Sequence, residues 1–246
     1  MSRNFSKNTT LYIFLFAGAI TLAGILYIYN VASIKNYSYF LPKLKGYNVL
    51  GIDVSRYQDN IDWEMVAEQD ISFAFIKATE GNYKIDPFYK KNWRNIKKTS
   101  ILRGAYHFYR PEMDWKTQYK LFVNTVTLER GDLPPVLDIE HIRKDKDREL
   151  LIKNIKKWLE AVEKYYGVKP IVYSYQSYYN DHLLDEFRGY NLWIASYRLT
   201  APTLDDEGHW EFWQYTDKAH LEGIEHKVDL NCFFGNKEQL KKLVKK

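Results

Sequence analysis

The chain has almost no cysteine. Cys232 stands alone among 246 residues, so no intramolecular disulfide can form, and with no cysteine near the N-terminus the chain cannot be a lipoprotein anchored through one. It also lacks a block of like charge. The formal net charge of +5 and the pI near 8.9 come from interspersed residues of both signs, which argues against nucleic acid as a partner, although a mild basic excess favours approach to an anionic polymer or surface. Internal repeats and low-complexity segments are missing as well. At 46% hydrophobic and 27% charged residues the composition is that of a folded chain. Its length suits one α/β barrel or two small domains. Aromatic residues, in contrast, are abundant at 17%, including 21 Tyr and 7 Trp. Tyr and Trp offer flat faces with polar handles, a hint of a groove that grips polar ring-shaped ligands such as carbohydrate.

After an N-terminal tail (1–10), residues 11–29 carry no charge, and Thr21 is their only polar residue apart from glycine. At about 1.5 Å per helical residue this run nearly matches a bilayer core about 30 Å thick, so a transmembrane helix is expected. Tyr27 and Tyr29 read as an interfacial belt. The competing reading is a cleaved secretory signal, with Arg3 and Lys7 before the run and Val31-Ala32-Ser33 after it. The expected location is the cell membrane, single-pass, with the bulk of the chain on the extracytoplasmic side; secretion after cleavage is the alternative. Residues 30–46 read as a tether, and 47–246 as the folded domain.

From Tyr47 onward strand-like and helix-like runs alternate. Strands are expected at 49–54, 73–77, 103–108, around 136–139, 171–174 and 192–195, with helices at 59–69, 87–97, 115–128, 151–166 and 176–186. The helices then vanish, and 210–215 and 227–230 read as bare strands. Five β/α units followed by three further strands predict an α/β fold, a modified TIM-like closed parallel barrel with an irregular last third. The terminal 237–246 run reads as a solvated helix face.

At the centre lies Val136-Leu137-Asp138-Ile139-Glu140. In a strand, residues two apart share a face at roughly 6.5–7 Å, so two carboxyls occupy one site. Like charges at such range raise the pKa of at least one partner, and a carboxyl that keeps its proton near neutral pH is what a general acid requires. In barrels of this kind catalysis sits at the C-terminal strand ends. Asp53 ends the first strand, Asp138 and Glu140 the fourth and Asp229 the last, so all four could meet at one mouth.

Gly51-Ile52-Asp53-Val54-Ser55-Arg56-Tyr57-Gln58, the run from Phe73 to Gly81, Gly104-Ala105-Tyr106-His107-Phe108-Tyr109, Asp138-Ile139-Glu140, Leu192 to Tyr197, Trp213-Gln214-Tyr215-Thr216 and Val228-Asp229-Leu230-Asn231 resemble, in order, successive signatures of the glycoside hydrolase family 25 lysozymes, the Chalaropsis-type muramidases. The resemblance implies the barrel just described and cleavage of the β-1,4 bond between N-acetylmuramic acid and N-acetylglucosamine in peptidoglycan. It implies Glu140 as general acid, Asp138 orienting the substrate's 2-acetamido group, and Asp53 and Asp229 as flanking support. A pair on one strand lies on one side of the sugar, so Asp138 is badly placed as an opposing nucleophile. Neighbouring-group participation with net retention is therefore expected; inversion through a water held by Asp53 or Asp229 competes.

Tyr57, Tyr106, Phe108, Tyr173, Trp193 and Trp213 are candidates to line the glycan groove. His107 and His141 sit beside the acids, but their spacing is not that of a metal ligand set; no metal and no cofactor is expected. Lys77 reads as a paired buried lysine, Cys232 as packed, and Glu80 has no assigned role. Asp59 stands where the family often has Gly. The wall-binding repeats common beside such domains are lacking, and the membrane segment could hold the enzyme near its polymer instead. The expected partners are peptidoglycan glycan strands and the lipid bilayer, the latter through residues 11–29, for a monomeric chain. The alternatives are an inactive wall-glycan-binding protein and a hydrolase of another amino-sugar polymer such as chitin.

Overall fold

The computed structural model describes residues 21–27, 44, 46–141, 147–198 and 200–246. The chain divides into two compact units, Met1–Leu41 and Pro42–Lys246. In the first, residues 21–27 are helical and exposed; the rest of the expected membrane span, 11–20 and 28–29, lies outside the described residues. Among the described residues no helix is long and apolar enough to cross a membrane.

Among the described residues the second unit has nine strands: β1 (Val49–Val54), β2 (Ile71–Glu80), β3 (Lys84–Ile85), β4 (Leu102–Phe108), β5 (Val136–Asp138), β6 (Ile171–Tyr175), β7 (Asn191–Ala195), β8 (Phe212–Ala219) and β9 (Val228–Phe233). The sheet order is β1-β9-β8-β7-β6-β5-β4-β2-β3, and β1 also pairs with β2. That last pairing closes eight strands into a barrel and leaves β3 as a short appendage hairpinned onto the end of β2. Helices α1 (Trp63–Ala67), α2 (Tyr89–Ile96), α3 (Trp115–Thr125) and α4 (Arg148–Tyr166) follow β1, β2/β3, β4 and β5. A short helical segment, Gln176–Tyr178 continued by a π turn over Tyr179–Leu183, follows β6. Five β/α units and three further strands are thus present, as the sequence pattern predicts.

One feature of that expectation is corrected. The barrel is not all parallel: β9 runs antiparallel to both β8 and β1. Residues 220–227 are too few for the crossover of a dozen or more that a parallel return needs. The consequence falls on Asp229, which sits at the start of its strand, not at its end. Only because β9 is reversed does that start lie at the same rim as the C-terminal end of β1.

The barrel interior is filled by Val49, Phe73, Phe75, Val136, Ile171, Tyr173, Trp193, Phe212 and Phe233. Two glycines make room for the rings. A Cβ on Gly51 would stand 2.4 Å from the Phe73 ring, and one on Gly104 2.5 Å from Phe75, closer than non-bonded carbons pack. The lower end is closed by α5 (Lys237–Lys241), capped by Asn236. Its Leu240 is 1% exposed and joins the core, with Leu243 and Val244 packed against it. The terminal run is therefore not merely a solvated face: Lys237, Lys241, Lys242 and Lys246 are exposed while its apolar residues plug the barrel. At the start of β4, the buried Arg103 makes a two-pronged pair with Asp132 at 2.7 and 3.1 Å and lies 4.0 Å over the Trp93 ring.

Candidate active site

The opposite rim is assembled from strand ends and the loops that pin them. Asp53 is the penultimate residue of β1. Behind it Ser55 caps a single 3-10 turn (Arg56–Gln58), with its own N–H donating to Gln58 Oε1 at 2.9 Å. Gln58 in turn donates from Nε2 to the Lys227 carbonyl at 2.9 Å, tying this turn to the start of β9. Asp138 closes β5, and Glu140 lies two residues beyond the strand. The intervening Ile139 is clamped on both sides, its N–H donating to Tyr173 O at 2.9 Å and its carbonyl accepting from Ser174 Oγ at 2.8 Å. That clamp fixes where Glu140 leaves the sheet.

Asp53, Asp138, Glu140 and Asp229 line one cleft of about 240 Å³, with Tyr106, Phe108, Tyr173, Tyr175, Trp193, Tyr197, Gln214, Lys77, Ser55 and Tyr57 around them. All four carboxyls titrate above their ordinary range. Burial pushes Asp53 up to about 6, against the pull of two amide donors. Burial raises Glu140 to about 7, Lys77 opposing and Asp53 reinforcing. Asp229 is raised to about 9 by burial and then by the charge of Asp53. Asp138 is raised by burial and by Glu140 next to it. Groups this close titrate together, and near neutral pH the cluster retains protons.

Asp53 is the most firmly oriented of the four. Its Oδ2 accepts from Gln214 Nε2 and Asn231 Nδ2, both at 2.8 Å. Each amide is locked from behind: Gln214 Oε1 accepts the hydroxyls of Tyr173 and Tyr197 at 2.9 and 3.0 Å, and Asn231 Oδ1 accepts Trp193 Nε1–H at 2.8 Å. Because the amide oxygens are occupied by donors, the NH₂ groups must point at Asp53, which favours its ionised form. Asp138 differs, since its buried Oδ1 has no hydrogen-bond partner among the described residues. A buried acceptor left open is uncommon in a folded protein and marks a place for a donor from outside the chain.

The remaining candidates divide. Tyr57, Tyr106, Phe108, Tyr173 and Trp193 all line the cleft, though Tyr173 and Trp193 are buried floor residues that also hold the amides. Trp213 does not line it. Strand alternation turns it outward from β8, where it is fully buried against Tyr47, Trp210 and Tyr215 and donates to Ser196 O at 2.8 Å. His107 likewise lies beyond the site. It points out of β4, stacks on Trp158 and bonds Thr79 and Gln118, and burial lowers it to about 4, so it is neutral. Cys232 is packed, its thiol raised by burial to about 12. Lys77 is paired as expected, with Glu80 at 2.9 Å. Glu80 thereby acquires a role: it also accepts from Arg110 and Lys84 and is held at about 2, the three cations outweighing its burial. Gln214, Asn231 and Tyr197 lie within the family-like motifs and Tyr175 outside them, but neutral side chains carry no charge signal along the sequence to single them out. Among the described residues no group of three or more His, Cys, Asp or Glu is arranged to hold a metal ion.

A family model described as Glycosyl hydrolases family 25 matches residues 52–224. An uncharacterized protein of Escherichia coli, YegX, is 38% identical over 237 residues, covering 94% of this chain and 85% of that protein. Lysozyme M1 of Streptomyces globisporus is 34% identical over 207 residues, covering 78% of this chain and 70% of the relative. A solved family 25 glycosyl hydrolase from Bacillus anthracis is 40% identical with a TM-score of 0.77, covering 82% of this chain and 96% of that one.

Proposed function

The chain belongs to family 25 of the glycosyl hydrolases, and on that premise we propose that this glycoside hydrolase is a muramidase, cutting the β-1,4 bond between N-acetylmuramic acid and N-acetylglucosamine in peptidoglycan. The observation that carries the reading is the cleft with four carboxyls of raised pKa on one rim. Lysozyme M1 among the relatives agrees with it.

Glu140, raised to about 7, is the general acid. Its proton passes to the glycosidic oxygen as the bond from that oxygen to the anomeric carbon breaks. The substrate's own acetamide oxygen bonds to the anomeric carbon, and Asp138, whose Oδ1 is without a partner among the described residues, accepts the acetamide N–H and orients the group. Water then adds to the same carbon, giving a proton to the Glu140 carboxylate, as the bond from the acetamide oxygen to that carbon breaks; the two displacements give net retention. Asp53, held ionised by two amides, stabilises the positive charge at the ring, with the protonated Asp229 beside it as a neutral donor. The test is direct: incubate the full-length chain with purified peptidoglycan and identify the new reducing ends by mass spectrometry. Muramic-acid ends support the reading. No release favours a wall-binding protein, and activity on chitin alone another hydrolase. NMR of the first-formed anomer decides the stereochemistry, and an inverted product refutes participation by the acetamide.

The protein is further proposed to be held at the outer face of the cell membrane by residues 11–29. What supports this is the uncharged run itself and the exposure of Leu22, Ile25, Leu26 and Tyr27 on the described helical part, apolar surface that water disfavours. Recovery of the intact chain in the soluble fraction after cell lysis would refute the anchor.

A further inference from the structure

One end of the cleft carries features that the chemistry above does not use. The hairpin of β2 and β3 stands at this rim, β3 pairing back on Thr79 and Glu80. On it Tyr83 and Ile85 are 73% and 45% exposed, and Tyr57, on the turn after β1, is 68% exposed. A small depression lined by Arg56, Lys77, Lys84, Glu80 and Asp86 continues the cleft, sharing Ser55, Tyr57 and Lys77 with it.

The charges here do not balance. Four cations, Arg56, Lys77, Lys84 and Arg110, surround two carboxylates. Glu80 is saturated, accepting from Arg110 at 2.6 Å on one oxygen and from Lys77 and Lys84 at 2.9 and 3.2 Å on the other. Asp86 is taken up by the backbone N–H groups of Arg56 and Phe88, each at 2.9 Å. The Arg56 guanidinium donates only to Tyr57 Oη, at 3.3 Å, and has no carboxylate within ion-pair distance among the described residues. At the other end the cleft shares Tyr175 and Tyr197 with a depression lined by Gln176, Ser177, Asn180 and Ser196, with Arg198 its single charge. The groove is thus polarised, cationic and aromatic at one end and mostly neutral at the other.

We propose that the cationic end is a subsite for a carboxylate-bearing stem peptide of the substrate, so that the enzyme reads the peptide on one side of the cut bond as well as the sugars. This rests on the muramidase reading. The two N-acetylated sugar rings carry no charge once the lactyl acid is in amide linkage, so free carboxylates on such a strand belong to the peptide. An exposed guanidinium recognises a carboxylate with two parallel hydrogen bonds and loses little hydration in doing so. Glu80 holds three cations in place without quenching Arg56.

The experiment compares the full-length chain on two polymers, glycan strands with intact stems and the same strands stripped by an amidase and then capped as lactyl amides so that no carboxylate remains, with kcat/KM measured from reducing ends. Wild type is expected to favour the stem-bearing strands by about tenfold. The ratio should fall toward one in Arg56→Glu and in Lys84→Glu, mainly through KM, and should shrink as salt is raised. A wild-type ratio of one, or a ratio that survives both reversals with unchanged melting temperatures, overturns the proposal. Cleavage of neither polymer refutes the muramidase reading instead. In that event calorimetric titration with the free stem tetrapeptide still decides: weaker binding in Arg56→Glu than in wild type supports the subsite, and no binding by wild type overturns it.

Discussion

Asp53 of β1 and Asp229 of β9 stand directly opposite each other in an antiparallel pair, which turns both carboxyls to the same face of the sheet at the barrel mouth. Like charges so placed repel, and the amides of Gln214 and Asn231 support only Asp53. Asp229, raised to about 9, is the partner that keeps its proton, and Asp53 the one that carries charge. A neutral donor and an anion side by side are thus produced from two identical side chains by the hydrogen bonds behind one of them.

Replacing the proposed acid should separate chemistry from folding. Glu140→Gln is expected to lower kcat by about 10²–10⁴-fold, the usual contribution of a positioned proton donor. Its melting temperature should equal or exceed that of wild type, because a buried carboxyl has been removed. Reducing-end assays and calorimetry on the same preparation check both halves.

The pH profile follows from the same groups. Glu140 must be protonated, so kcat/KM should fall as pH rises through about 7; Asp53 must be ionised, so it should also fall as pH drops through about 6. A narrow bell with its top between these values is expected. Gln214→Met removes one donor to Asp53 and should move the acid limb upward. Glu80→Gln frees the positive charge of Lys77, which lowers Glu140, and should move the alkaline limb downward.

Asp229 also predicts a pH-dependent stability. The unfolded chain loses this proton near 3.8, whereas the folded protein keeps it to about 9. The penalty is therefore absent below about pH 4, grows as pH rises through that window, and is complete above it. Asp229→Asn should raise the melting temperature at pH 8 and leave it little changed at pH 4, by roughly 2–4 °C for each kcal/mol released. A rise of equal size at both pH values would sink this account.

Asp59 has φ 50° and ψ −129°, a left-handed conformation that side chains disfavour and glycine accepts. Its pair with His226 at 3.1 Å is exposed on both sides, and such pairs contribute little. Asp59→Gly is expected to stabilise by about 0.5–1 kcal/mol, measurable by urea unfolding.

Gly51→Ala should do the reverse. A Cβ there stands 2.4 Å from the Phe73 ring, inside a closed barrel with no slack. Overpacking of this kind costs about 1–3 kcal/mol, seen as a lower urea midpoint.

Much of this protein is legible along the chain. The period-two and period-3.6 patterns specify five β/α units and three bare strands, because each element must bury an apolar face whatever it packs against. Asp53, Asp138, Glu140 and Asp229 stand out because charge beside a buried strand is costly and so conspicuous. What tertiary structure decided is direction and environment. The reversal of β9 depends on pairing at both its edges, and without it Asp229 would lie at the wrong end of the barrel. Trp213 and Trp193 look alike as letters; their place in the strand alternation sends one outward to packing and the other to the cleft floor. Gln214 and Asn231 are unremarkable until the closed sheet aims their NH₂ groups at one carboxylate. The identities of the acids are local facts, but their proton affinities depend on neighbours far off in sequence, and only the closed barrel supplies those.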